Sequence, residues 1–218
     1  MNWQPFLISG QLALITTVLL SLVAVPLIFG LSTFQFRLKP LFKALVSLPL
    51  VLPPTVLGYY LLLAFRPDAW ISTLIGTPLT FTFGGLVVGS MLYSLPFMVN
   101  PILSAVENLP VSLREAAYTL GKNPWQTYLR VMLPNVKPAI LAGLVMTFAH
   151  TIGEFGVVLM IGGSIPGKTR VAAIAIYHEV EALNYAQADV YAGVLLLFSL
   201  AVLVPVYTLQ QRRSFSEL

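Results

Sequence analysis

The run Gly162-Gly-Ser-Ile-Pro-Gly167-Lys168-Thr169 fits the pattern G-x-x-x-x-G-K-T letter for letter. In that pattern backbone N–H groups and the lysine cradle nucleotide phosphates, provided a strand precedes the loop, a helix follows it and an acidic strand end holds Mg²⁺. Here a long apolar stretch precedes the run and no apolar strand ending in Asp accompanies it, so the expectation is a turn. Lys168 and Arg170 in that turn are either plain solvated charges or a pair of cations placed to steer an arriving anion. A second candidate is Glu154, the one acid in the apolar stretch from Pro138 to Gly167, because intramembrane carboxylates mark paths, relays and gates. The expected role of Glu154 is structural or gating, pairing with a neighbour or accepting from backbone N–H groups. With His150 it makes an acid/base pair at i and i+4, the minimum for an intramembrane hydrolase, but no G-x-S-x-G serine accompanies them. His150 and His178 lack partners at convincing metal-ligand spacing. With no cysteine in the chain, disulfides and thiolate metal sites are excluded.

These residues sit in a chain of 218 that is 57% hydrophobic and only 9% charged, with a mean hydropathy of +0.86. A soluble domain carries about a quarter charged residues, so this composition implies an all-α integral membrane protein, one transmembrane domain over 1–218. The net charge of +4 is spread in short clusters between apolar runs, which fits topology and not nucleic acid. A spanning helix needs about 20 predominantly apolar residues. Five such windows occur: Phe6 to Thr33, Ala44 to Phe65, the stretch from about Phe83 to Val106, Pro138 to Gly167, and Val190 to Gln211. The first 36 residues contain no Lys or Arg, so the first window is expected to be a retained anchor and not a cleaved signal.

Lys and Arg gather on the cytoplasmic side of short loops. With five spans, nine of the twelve basic residues fall on one side: Arg37, Lys39 and Lys43, then Arg114, Lys122, Arg130 and Lys137, then Arg212 and Arg213. Arg66, Lys168 and Arg170 fall on the other. The split predicts an outer N-terminus, a cytoplasmic C-terminus, and a cytoplasmic segment at about 107–137 between spans three and four. Val171 to Tyr177 is too short to span and is expected to form an outer, re-entrant helix. Glu154 comes sixteen residues after Pro138, about 24 Å along a helix, which puts it near the outer interface without deep burial. The cluster Leu48 to Pro54, LPLVLPP, reads either as helix bending for packing or as an irregular segment lining a solute path. Gly85 and Gly89 form a GxxxG pair for close helix approach.

The cytoplasmic segment parses into two short helices. Ser112-Leu-Arg-Glu115 has the form of a capping box, Leu113, Ala116, Ala117 and Leu120 share one face, and Gly121 supplies the left-handed stop. Asn123 and Pro124 restart a helix as N-cap and first residue. Trp125, Tyr128, Leu129 and Met132 share its face, and Pro134 is expected to end it. Such a pair either lies on the bilayer surface or offers its first helix to a soluble partner.

The spacing Glu115-Ala-Ala117, three residues, Gly121, nine residues, Val131, one residue, Leu133-Pro134 resembles the EAA loop of ABC-importer permeases, E-A-A-x3-G-x9-I-x-L-P, with Val for Ile as the one departure. The resemblance implies that Arg114, Glu115, Ala116, Ala117, Leu120, Gly121, Leu133 and Pro134 form the coupling segment received by a separate ATP-hydrolysing subunit. Ser47 to Thr55 with Gly58, Ala149 to Gly156, and Ser164 to Arg170 are similar to molybdate-importer permeases, the ModB family, over nearly the whole chain. Sulfate and tungstate permeases are the neighbouring possibilities.

This resemblance implies an ABC-importer permease fold in the cell inner membrane, working with a second copy of itself, two ATP-binding cassette subunits and an extracytoplasmic molybdate-binding protein. ATP and Mg would be used by the partner ATPase, with no cofactor bound by this chain and no enzyme activity of its own. A low-dielectric bilayer makes a bare dianion prohibitively costly, so the path is expected between two copies. Pro53, Pro54, Thr55, Thr151, Glu154, Lys168 and Arg170 are its candidate path or gate residues. An ATP-independent carrier or channel, or an intramembrane enzyme using His150 and Glu154, are the alternatives of a different class.

Overall fold

The structure, a computed structural model, describes residues 2–214, with side chains described for 2–74 and 76–204. Arg212 and Arg213 therefore lie outside the described side chains. No strand occurs among the described residues. Helix α1 (Gln4–Thr33) is 30 residues of almost unbroken apolar sequence that passes through Pro26 without ending. Helix α2 (Lys39–Ser47) runs into a 3₁₀ turn (Leu48–Leu50), and after a break α3 (Pro54–Phe65) leaves at 109° to it. The cause is local. Pro54 disfavours helical geometry at the residue before it, and Pro53 is accordingly extended at ψ 137°. The backbone of LPLVLPP is thus irregular and sharply bent, whereas Pro96 and Pro101 stay inside an intact α5.

A short α4 (Trp70–Ile75) precedes α5 (Phe83–Glu107), whose N-terminus is capped by Thr82 accepting from the Gly85 N–H at 3.0 Å. The middle segment comprises α6 (Val111–Thr119), α7 (Pro124–Thr127), a π-helical turn (Tyr128–Met132) and α8 (Leu133–Asn135). Next come α9 (Lys137–Ile152), α10 (Gly156–Gly162), α11 (Ala172–Glu181) and α12 (Tyr185–Ser214). Helices α1, α5 and the stretch Tyr185–Val204 of α12 are each long and apolar enough to cross a membrane, and the number is up to five if each of the bent pairs, Lys39–Leu50 with Pro54–Phe65 and Pro124–Asn135 with Lys137–Ile152, is one span.

The fourth window is not one helix. The Pro138 to Gly167 stretch ends as a helix at Ile152, breaks over Gly153 to Phe155, and resumes as the seven-residue α10 packed on α3 and α5. Gly153 and Gly156 bracket the break, and both lower helix stability. Gly85 and Gly89 do mark close contacts: a Cβ at Gly89 would collide with Ile161 of α10, and one at Gly85 with the Leu79 carbonyl. The stretch expected to hold a short helix forms α11, ten residues set against α12 and α1. At the centre, α1, α5 and α9 pack on one another through Leu20, Ala24 and Ile28 of α1, Met98, Val99, Ile102 and Val106 of α5, and Ile140 and Leu144 of α9, and Tyr128 and Met132 of the middle segment belong to this same core. Large apolar side chains such as Leu7, Leu14, Val18 and Leu22 cover the outside of α1, as a lipid-facing helix requires.

Candidate functional site: the α6 corner and the Glu154 cavity

Helix α6 starts at Val111 behind Pro110, held at φ −53° and ψ 133°, with no side-chain cap. The expected Ser112–Glu115 box does not form, because the proline places the start one residue ahead of Ser112. Leu113 is half-buried and Ala117 buried, whereas Glu115 and Ala116 are exposed and Arg114 is half-buried. The predicted apolar face of Leu113, Ala116, Ala117 and Leu120 is thus divided between protein and surroundings: Leu120 is 78% exposed and, with Val111 at 65%, forms an apolar rim held out from the protein. Gly121 ends the helix at φ +74°. The Lys122 N–H donates to Ala117 O at 3.1 Å and the Gly121 N–H to Tyr118 O at 2.9 Å, the paired bonds of a Schellman stop.

Asn123 then caps α7, accepting from the Gln126 N–H at 2.8 Å while the Gln126 side chain accepts from the Asn123 N–H at 3.3 Å. Pro134 does not end this helix. It lacks an N–H for the carbonyl four residues back, and the chain accommodates it by widening into the π-turn, continuing to Asn135, whose side-chain amide donates to Val131 O at 2.7 Å. The predicted shared face is split in the same way as in α6. Tyr128 and Met132 are buried, with the Tyr128 hydroxyl donating to Val25 O of α1 at 3.0 Å, and Trp125 packs edge-on to Phe29 at 4.7 Å while staying exposed on its other side. The corner is therefore bolted to α1 at one end and continues through a 79° bend into α9 at the other.

Behind the bend after α2 lies a cavity of about 560 Å³, lined by Pro54 and Thr55 from α3, Tyr93 from α5, His150 from α9, Glu154 in the break, and Gly156, Leu159 and Met160 from α10. Tight seams build it: a Cβ on Gly156 would come within 2.6 Å of Pro54 Cβ, and one on Gly58 within 2.7 Å of Met160 Cβ. Glu154 is only 4% exposed, and neither carboxylate oxygen accepts a hydrogen bond. This corrects the expectation that Glu154 need not be deeply buried: the chain breaks at Gly153 and folds α10 back onto α3 and α5, which encloses the carboxylate in protein. Ser90 is the hydroxyl that faces the carboxylate. The His150 ring stacks on Phe97 at 4.0 Å, and its Nδ1 lies 2.9 Å from Ser94 Oγ. Ser94 also meets Thr151 at 3.0 Å, and Thr151 donates to Thr147 O.

Of the candidate path residues, Pro54, Thr55 and Glu154 share this cavity, Thr151 is linked to His150 through Ser94, and Pro53 is exposed at the start of α3. Lys168 lies apart, beside a cavity of about 330 Å³ with Gln11 and Thr82. Arg170 is engaged in its own turn, donating from Nε to Ser164 Oγ at 2.9 Å. The loop that fitted a phosphate cradle points its donors inward: the N–H groups of Lys168, Thr169 and Arg170 all donate to Ile165 O, and the Thr169 hydroxyl donates to Gly162 O. Ser90, Tyr93 and Ser94 were not singled out from the sequence. Their signal was available as polar groups at i, i+3 and i+4 in an apolar helix.

The model for the binding-protein-dependent transport system inner membrane component matches residues 17–214. The chain belongs to that family. It is thus a multi-pass transport component of the inner membrane, and family membership displaces the intramembrane hydrolase and the ATP-independent carrier. The permease is 49% identical to the molybdenum transport system permease protein ModB of Azotobacter vinelandii, over 91% of this chain and 89% of that protein. It is 34% identical to the sulfate transport system permease protein CysT of Escherichia coli K12, over 84% of this chain and 67% of that one. Its fold is similar to a chain of a bacterial ABC transporter for the import of alginate, with a TM-score of 0.74 at 17% identity, covering 97% of this chain and 80% of that chain. It is also similar to the inward-facing MetNI methionine ABC transporter, with a TM-score of 0.70 at 16% identity, covering 96% and 93%.

Proposed function

We propose that this permease is the membrane-spanning subunit of an ATP-driven molybdate importer. Two copies would enclose the path, two ATP-binding cassette subunits would dock on α6, and an external binding protein would deliver the anion. ATP and Mg are used by the docked subunits, and this chain binds no cofactor of its own. The observation that carries the reading is the α6 corner. It presents Glu115, Ala116 and the apolar Leu120 outward on a Schellman stop while Tyr128 and Met132 sit in the core of the spans, the construction of a lever worked from outside. A displacement of α6 would be carried through Tyr128 to α1 and through the 79° bend to α9, shifting the end of α9 that forms one wall of the Glu154 cavity.

The orientation follows the charge asymmetry, with the N-terminus outside and α6 in the cytoplasm. Molybdate is favoured over sulfate by the 49% identity to a molybdenum permease against 34% to a sulfate permease. The test is uptake of labelled molybdate by the assembled transporter, with tungstate and sulfate as competitors. Inhibition by tungstate but not by a hundredfold excess of sulfate is expected, and preferential uptake of sulfate would replace molybdate in this reading.

A further inference from the structure

A third cavity, polar and about 410 Å³, opens at the α6 end of the bundle between α2 and α5, lined by Lys43, Ser47, Asn100, Ser104, Glu107 and Asn108. Its mouth holds one carboxylate between two ammonium groups: Glu107 lies 2.7 Å from Lys43 Nζ and 3.4 Å from Lys39 Nζ. One acid against two bases leaves the cluster with an excess positive charge. Deeper in, the Asn100 amide donates to Ser47 Oγ at 3.1 Å. Asn100, Ser104 and Asn108 follow at i, i+4 and i+8 along α5, and Lys43 and Ser47 at i and i+4 along α2, so each helix turns a polar stripe toward the other. Ordinary interfacial lysines explain the mouth but not a stripe that continues about 10 Å inward from Glu107 to Asn100.

Both walls of this pocket lead to the Glu154 cavity. Tyr93, which lines that cavity, is two turns beyond Asn100 on the same face of α5, and α2 leads through the proline bend to Pro54, which lines it too. A path must bind its ion well enough to admit it and weakly enough to let it leave. We propose that the pocket between α2 and α5 is a release station for a tetrahedral oxyanion, taken up by Lys43, Lys39 and the Ser47 and Asn100 donors. The Glu107 carboxylate occupies the lysines when the anion has gone and competes it off when it arrives. The inference rests on the oxyanion reading above.

The permease assembled with its ATPase subunits, without binding protein, is dialysed against labelled molybdate. Glu107→Gln removes the competitor and should tighten binding roughly tenfold, well below the bare Coulomb value at a few ångströms because the Glu107 side chain is 33% exposed. Lys43→Gln should abolish that binding. Both variants break the same ion pair, so a merely structural pair predicts parallel losses of thermal stability and no opposed change in molybdate binding, and that result overturns the proposal. Should Lys43→Gln fail to assemble, Ser47→Ala placed on Glu107→Gln carries the same test: severalfold weaker binding supports the station, and unchanged binding removes it. Uptake by the wild-type transporter with its binding protein separates the two readings. Uptake of molybdate without the opposed binding changes ends the release station alone, whereas uptake of no oxyanion ends both.

Discussion

Gly121 tests whether the α6 corner works through its backbone or through surface contact. It sits at φ +74°, and a Cβ built there meets nothing within 4 Å in this chain, so a substitution here costs backbone strain and little else. An L-residue in the left-handed region costs roughly 1–2 kcal/mol, β-branched side chains more, and Asn much less because it visits that region readily. A loss of that size lowers the population of the native turn by a factor of about 5–30 and opens the Lys122-to-Ala117 and Gly121-to-Tyr118 bonds. The assay is ATP hydrolysis stimulated by the binding protein, and uptake per ATP, in the reconstituted transporter. The expected order is Gly121→Asn near wild type, Gly121→Ala intermediate, and Gly121→Val with most coupling lost. An Asn variant as impaired as the Val variant would refute the conformational argument and assign the loss to a clash with the ATPase. A Val variant with normal coupling would show that the turn is not needed.

Three further outcomes follow from the cavity and the outer turn. Glu154→Gln removes a buried carboxylate that no hydrogen bond compensates; the protein should assemble with unchanged or higher thermal stability while uptake falls, and normal uptake would exclude a gating role. Gly156→Ala places a methyl within 2.6 Å of Pro54 Cβ and should lower stability by about 1–3 kcal/mol through overpacking, measured as a fall in melting temperature, with no change expected if the α3–α10 seam is loose. Lys168→Gln should slow uptake only at low ionic strength, as screened steering requires, whereas Arg170→Gln should act at every salt concentration because it loses the Ser164 bonds. Identical salt profiles for the two would refute the distinction.

The long charge-free windows made α1, α5 and α12 legible, because hydrocarbon thickness dictates length and composition together. The corner was legible through Gly121, Asn123 and Pro124, residues whose backbone preferences are strong and local. The α9–α10 break was hidden because Ile152, Phe155 and Val157 keep the composition apolar on both sides of Gly153. Whether those glycines break a helix depends on the partners α3 and α5, which lie far away in sequence. The start of α6 was misread for a simpler reason: Pro110 fixes it before Ser112 can act as a cap. Pro134 was read as a stop because a widened turn costs less than a broken helix only when Tyr128 and Met132 are anchored in the core. Ser90, Tyr93 and Ser94 carried a signal as polar groups at i, i+3 and i+4 in an apolar helix, but only the fold brings them to Glu154 and His150.

The central claim is that a separate ATPase works these spans through α6, and the direct measurement is uptake of labelled molybdate into proteoliposomes holding the permease and its ATPase. ATP is supplied on the α6 side and the binding protein on the other, for the wild type and for Glu115→Lys, an exposed change on α6. The account predicts uptake that needs both ATP and binding protein and is lost in the variant while the spans keep their melting temperature. Uptake that proceeds without ATP, or that is indifferent to the charge reversal at Glu115, would contradict it.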